Sequence, residues 1–270
     1  MNDQHALGQM ANAPLALVLA QVRFSPYLTI GNCIPAIQDA LRKTYPVFRK
    51  GQMQTIEFGP ASPSPTISTS DRWDFVDAGN REGFIVQQNS LVFLATRYKT
   101  FEDFAHKHDV VLECIERTVP DIFVERIGLR YVDLIVPTNN HTPEDYVFEG
   151  LRGCPLEIES PKSYQARHIA RWRVTNGVIV FRYISGVQSP YLPPDLQMIE
   201  LSPPEIIERA KRSSSQVGMM DFDRTMDCRG PYRAQQISQL FVEMHNDASK
   251  AFKRAMSTLA EVEWNSKTAS

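Results

Sequence analysis

Little in this chain announces chemistry, and each absence is informative. Its 13 glycines are scattered over 270 residues and never cluster, which excludes a glycine-rich loop cradling a phosphate. The four cysteines, Cys33, Cys114, Cys154 and Cys228, stand far apart. That spacing excludes a zinc ribbon, and a chain of this length does not need a disulfide framework to hold a core. None of the six histidines sits in an HExxH run or beside a nucleophile elbow. A formal net charge of −2 leaves no overall basic footprint for nucleic acid. No window approaches the ~20 apolar residues of a membrane span. The first apolar run, residues 13–20, lacks the basic flank of a secretory leader. The expectation is a cytoplasmic protein with reduced thiols and no membrane association.

What is present is strand and helix patterning. Residues 1–12 are polar or small and are expected to be disordered. LALVLAQVRF (15–24) reads as a buried strand. Asn32 is placed to cap a helix over IPAIQDALRKTYP, whose Ile34, Ile37, Leu41 and Tyr45 recur at helical spacing, with Pro46 ending it. A short strand near 55–58 and a Pro/Ser-rich loop precede three strands at 72–78, 83–89 and 91–98. Their short connections predict an antiparallel meander. Residues 100–119 form the strongest helix pattern, with Thr100 capping and Asp103 three residues on. A long strand is expected at 124–137.

The second half opens with a loop and a short helix near 142–151. SYQARHIARWRV and VIVFRYISG then flank Asn-Gly, a strong hairpin signal. A Pro-rich loop (190–204), a short helix at 203–212, a strand at 219–227 and a last helix over 234–259 follow. This predicts an α+β fold of antiparallel sheet with long helices packed on one face, arranged as two similar meander-plus-helix halves. Helix-grip and TATA-protein-like folds have this order. The halves would be 13–137 and 138–262, joined as one unit, with 263–270 a disordered tail.

Two strand patterns carry opposite charge at a two-residue period. Arg167, Arg171 and Arg173 share one face of their strand, and Asp221, Asp223 and Asp227 share one face of theirs. Three carboxylates so placed suit magnesium or manganese, and opposed arginines would hold a phosphate. The bland alternative is ion pairing of the two stripes across neighbouring strands. In RIGLRYVD (126–133), Arg126, Gly128 and Arg130 share a face, and Gly128 weakens the strand unless something approaches it. Arg23 and Arg130, near the ends of apolar strands, are candidates for a carboxylate or phosphate, with ion pairing to Asp133 or Glu125 as the structural alternative. Glu157, Glu159 and Lys162 resemble the alternating glutamates of triphosphate-tunnel enzymes, although Pro161 interrupts them. Arg167, Arg171, Trp172, Arg173, Arg182 and Tyr183 on one hairpin could contact single-stranded nucleic acid, but Trp172 falls on the face opposite Arg171 and Arg173. Trp73, Phe75, Phe84, Phe93 and Tyr98 would either build the core or offer a partner a groove.

Several patterns together, AxLxxVLAQVRFSP, RWDFVDA…LVFLATRYKTFEDF, GLRYVD at 128–133 and MHNDASKAF, resemble a sporadically distributed bacterial family of uncharacterised proteins of about this size. The resemblance spans roughly residues 13–260. It implies a one-unit fold and brings no activity with it; a patchy distribution would fit mobile or defence-linked genes. The reading is a non-enzymatic cytoplasmic binding or regulatory module without a resident cofactor, its ligand or protein partner unspecified and a homodimer through sheet edges conceivable. One alternative is a metal-dependent enzyme or sensor for a phosphorylated small molecule or nucleotide. The other is a nucleic-acid-binding accessory factor. Candidate ligand-binding residues are Arg23, Arg126, Arg130, Arg167, Arg171 and Arg173, and candidate metal ligands are Asp221, Asp223 and Asp227.

Overall fold

A computed structural model describes residues 10, 12–57, 66–153, 165–196 and 200–266. Strand β1 (Leu15–Phe24) shows how the chain divides its two faces. Val18, Ala20, Val22 and Phe24 enter one apolar core, while Leu17, Leu19, Gln21 and Arg23 point the other way. Around it β2 (Val47–Glu57), β3 (Thr66–Val76), β4 (Glu82–Gln87), β5 (Ser90–Ala95), β6 (Phe123–Ile135), β7 (Arg167–Val174), β8 (Gly177–Ser185) and β9 (Gly218–Pro231) complete a nine-stranded sheet. Every pairing in it is antiparallel, in the order β2-β3-β4-β5-β1-β6-β9-β8-β7. The α+β architecture with an antiparallel sheet is the one the sequence predicts.

The connectivity is repeated. Each half opens with a strand at the centre of the sheet (β1, β6), leaves for an edge, returns by a meander that ends beside its opening strand, and continues into a long helix. Those helices are α2 (Phe101–Thr118) and α4 (Ala234–Ala255), which pack together and, with α1 (Ile34–Leu41), cover one face. Thr100 caps α2 as expected, accepting the Asp103 amide at 3.1 Å. The meander aromatics belong to this core: Phe75 stacks on Phe84 at 4.5 Å and Tyr45 meets Phe84 edge-on at 5.2 Å. Trp73, Phe75, Phe84 and Phe93 are buried and so are not a docking surface for a partner.

Several boundaries differ from the sequence reading. β2 extends far beyond residues 55–58 because it pairs continuously with β3 from Val47↔Val76 to Glu57↔Thr66. Asn32 lies inside a 3₁₀ turn (Ile30–Cys33) instead of capping α1. The last helix breaks at Met256, and α5 (Thr258–Asn265) starts anew under a Ser257 cap. Residues 263–265 are therefore helical, with Trp264 buried between Tyr146 and Phe252 and its carbonyl accepting the Asn12 amide at 2.9 Å. Glu157, Glu159 and Lys162 lie outside the described residues. So do residues 58–65.

Helix α3 (Glu205–Arg212) departs from the one-face arrangement. Its Ile206, Ile207 and Ala210 pack against Leu17, Val132 and Leu134 on the opposite face of the sheet, forming a second, smaller core. Among the described residues this helix covers one corner of that face.

The main core also holds polar groups. His245 on α4 stacks on Phe101 at 4.0 Å and hydrogen-bonds the Tyr131 hydroxyl through Nδ1 at 2.9 Å. His108 on α2 is enclosed by Phe93, Phe104 and Phe241, and Asp133 is buried with Oδ2 unpartnered among the described residues. Burial lowers the pKa of His108 to about 3 and that of His245 to about 4. Burial, reinforced by the charge of Asp221, raises that of Asp133 to about 8. Below about pH 6.5 the unfolded chain protonates both histidines and the folded chain does not, so acidification toward pH 4 destabilises. Asp133 acts oppositely: the folded chain keeps its proton up to about pH 8 while the unfolded chain loses it near 4, so stability falls as pH rises through that window. Two histidines outweigh one aspartate below about 6.5 and only Asp133 remains above it, so urea denaturation should show maximal stability between roughly pH 6 and 7. His108→Phe should flatten the acid limb and Asp133→Asn the alkaline limb; an unchanged alkaline limb in Asp133→Asn would remove Asp133 as its cause.

Candidate functional site

The face opposite the long helices carries most of the polar strand residues. Antiparallel register lines them up in three rows across the sheet. One runs Arg72, Gln87, Ser90, Arg23, Arg126, Asp227. The next runs Asp74, Ile85, Val92, Gln21, Gly128, Thr225, Val178, Arg173. The third runs Gly83, Leu94, Leu19, Arg130, Asp223, Val180, Arg171. The central parts of these rows floor a half-open groove of about 470 Å³. Asp195 and Leu196 in a 3₁₀ turn (Pro194–Leu196) wall it on one side. Further along the same connection, residues 200–203 cross onto the first half of the sheet: Ser202 donates its amide to the Asn80 carbonyl at 2.7 Å, and Thr96 donates to the Ser202 carbonyl at 2.8 Å.

The deepest charged group is Asp221, with no exposed surface. Its Oδ1 accepts Arg130 Nε at 2.7 Å, and its Oδ2 accepts Arg130 Nη2 at 2.8 Å and Arg182 Nη1 at 2.9 Å. Arg130 also donates to Asp195 through both of its Nη atoms. Burial works against the Arg130 charge, but bonds to Asp221 and Asp195 outweigh it and raise the pKa further. Burial would raise Asp195 as well, yet the Arg130 bond holds it below the usual carboxylate range. Asp223 is raised, chiefly by burial, with Arg130 offsetting part of the effect.

The structure gathers three of the six candidate arginines, Arg23, Arg126 and Arg130, on the groove. Arg130 is committed to aspartates, though not to Asp133 or Glu125, because Asp133 belongs to the opposite face. Arg23 and Arg126 sit directly opposite one another on β1 and β6, are exposed, and make no hydrogen bond or ion pair among the described residues. Arg167, Arg171 and Arg173 are on the same face but on the outer strand β7, exposed and outside the groove lining. β8 separates them from β9, roughly 10 Å away at ordinary strand spacing. The arginine and aspartate stripes therefore do not pair with each other; Arg182 on the intervening strand meets Asp221 instead.

Asp221, Asp223 and Asp227 share a face as expected, but each carboxylate has a different setting. Asp221 is filled by guanidinium donors, Asp223 lies 3.9 Å from Arg182, and Asp227 is exposed toward the end of β9. A cation ligated by Asp221 would have to share that carboxylate with two arginines. Among the described residues no three His, Cys, Asp or Glu side chains are grouped to hold a metal ion.

Sequence reasoning missed Arg72, Gln21, Gln87, Thr225, Asp195 and Leu196. Gln21 and Arg23 alternate against Val18, Ala20 and Val22, a visible sign that this face of β1 is not all core. Asp195 gave no signal, since its loop is placed only by tertiary contacts. No protein-family model matches the chain, and no curated protein matches it. Among the described residues no helix is long and apolar enough to cross a membrane.

Removing the Asp221 carboxylate takes the buried partner from Arg130 and Arg182 and leaves Arg130 with the more exposed Asp195 alone, and breaking a buried pair costs about 3–5 kcal/mol. Asp221→Ala should lose stability of that order in urea denaturation, whereas Asp227→Ala, at an exposed position, should change it by less than about 0.5 kcal/mol. Equal, small losses in both variants would mean that the network does not hold the fold.

Proposed function

We propose that the protein is a cytoplasmic binding or regulatory module whose ligand lies in the groove above Gly128. The observation that carries the reading is the glycine. It occupies the centre of the sheet, where glycine weakens a strand by roughly 0.5–1 kcal/mol. Its backbone is not among the positive-φ positions. A Cβ there would meet only ordinary contacts, the Arg224 carbonyl and the Thr225 methyl, each at 3.8 Å. Among the described residues neither conformation nor packing calls for glycine at this point. The space it leaves belongs to the groove, whose size is within the range of small-molecule sites, about 300–1,000 Å³.

The reading is supported over a metal-dependent enzyme by the dispersal of the three aspartates. The resemblance to the sporadically distributed bacterial family remains a companion proposal, consistent with a one-unit fold. Pairing of two copies through β7 is disfavoured at this edge, since a face-preserving antiparallel register sets arginine against arginine.

An aromatic side chain is well tolerated in strands, so Gly128→Phe should fold and fill the groove. A thermal-shift screen of nucleotides, polyphosphates and divalent metals on both forms tests the proposal. Compounds that raise the melting temperature of the parent protein by mass action should fail to do so in Gly128→Phe. Equal shifts in the two forms would place the ligand elsewhere.

A second reading, nucleic-acid contact, draws on one observation. Arg167, Arg171 and Arg173 are exposed without a carboxylate partner among the described residues, and Trp172 is 49% exposed on the other face of the same strand. Single-stranded oligonucleotide binding that weakens steeply with salt and disappears in an Arg171→Gln/Arg173→Gln double variant would favour it. Binding unchanged in that variant would exclude this surface.

A further inference from the structure

Matching each charge in the groove to a partner leaves one pair over. Arg72 holds Asp74 through two bonds, at 2.7 and 2.9 Å. Arg130 holds Asp221 and Asp195, and Asp223 lies within 3.9 Å of Arg182. Arg23 and Arg126 remain, opposed across β1 and β6 and unpaired among the described residues. Like charges directly opposite on neighbouring strands destabilise the pair. Among the described residues no ion pair relieves it: Asp227 is the strand neighbour of Arg126 but forms no ion pair with it, Glu125 accepts a bond from Ser25 at 2.9 Å, and Arg229 adds a third cation at this end of the sheet.

We infer that the ligand of this groove is a small phosphate monoester, its terminal phosphate held by Arg23 and Arg126 and its apolar or aromatic body lying over Gly128; the inference rests on the groove reading above. The charge count selects phosphate. One guanidinium fork satisfies a carboxylate bidentately. Two adjacent forks match a dianion that offers three oxygens. The body follows from the floor beside them, where Leu19, Ile85, Val92 and Leu94 supply apolar surface and Gln21, Gln87 and Thr225 supply a few polar groups. That mixture, within about 470 Å³, fits a compact organic group better than a polymer.

Isothermal titration with phenyl phosphate, phenyl sulfate, benzoate and inorganic phosphate tests this on the parent protein and on Arg23→Gln, Arg126→Gln and Gly128→Phe. Phenyl phosphate should bind most tightly, ahead of the singly charged sulfate and carboxylate and ahead of inorganic phosphate, which lacks the body. Each arginine substitution should weaken phenyl phosphate about tenfold or more, the range of a bond to a charged group. The ligand-free melting temperature of those variants should stay level or rise, because the like-charge contact is relieved. A merely structural role for the two arginines would lower it. Benzoate binding as tightly as phenyl phosphate would overturn the phosphate assignment, as would absence of phenyl phosphate binding to the parent protein at millimolar concentration. Undiminished binding in the arginine variants together with loss in Gly128→Phe would overturn the anion subsite and leave the groove standing. Undiminished binding in Gly128→Phe would remove both.

Discussion

The Asp221 carboxylate is the fixed point of the half of the sheet that carries the site. It accepts three hydrogen bonds from two guanidiniums, and those guanidiniums come from the strands on either side of its own. Arg130 then reaches past it to Asp195, so one buried charge ties β6, β8 and β9 to the connection that walls the groove. Buried ion pairs are poor sources of net stability, because desolvation consumes much of the attraction. Their effect is on geometry: a buried charge tolerates few arrangements, and here two guanidiniums must converge on one carboxylate. A network of this kind positions a loop more strictly than apolar contact alone would.

The groove exists because the two halves, alike in connectivity, differ in one connection. In the first half β4 turns into β5 through Gln88 and Asn89 alone. In the second half the equivalent step, from β8 to β9, takes residues 186–217 and includes the 3₁₀ turn and α3. That insertion packs α3 over one corner of the face opposite the long helices and hydrogen-bonds to the first half through Ser202. Among the described residues strands β1, β4, β5, β6 and β9 present side chains to a half-open space walled on one side by Asp195 and Leu196. The asymmetry between the halves, and not the repeated sheet, is what makes a site possible.

The sequence makes the local pattern legible and leaves the long-range arrangement hidden. Alternation in β1, the Thr100 cap and the hairpin between β7 and β8 depend on neighbours a few residues apart, and each can be read from composition and period. Face parity is legible for the same reason: Arg126, Gly128 and Arg130 do share a side, as do the three aspartates. Strand order is not, since it depends on which strands meet across tens of residues. The arginine and aspartate stripes looked like partners or co-ligands, yet β8 lies between them and contributes Arg182, which neither stripe's spacing could foretell. The side of the sheet that helix α3 covers is hidden for the same reason, because its apolar positions specify only that it covers a sheet, without saying which face.

The two features that local physics disfavours lie together. A glycine in a central strand and a pair of opposed arginines each weaken the sheet, and they are two residues apart on one face of β6, in neighbouring rows of the register. The buried histidines and Asp133, which also run against local preference, lie on the opposite face among aromatic side chains, where burial is the largest cause of their shifted protonation. The groove anomalies have no such account among the described residues. A sequence retains a destabilising residue most readily where something outside the chain supplies the missing contact. A ligand that carries negative charge to Arg23 and Arg126 and bulk to Gly128 supplies both at once, so a single occupant resolves two departures that otherwise need separate explanations.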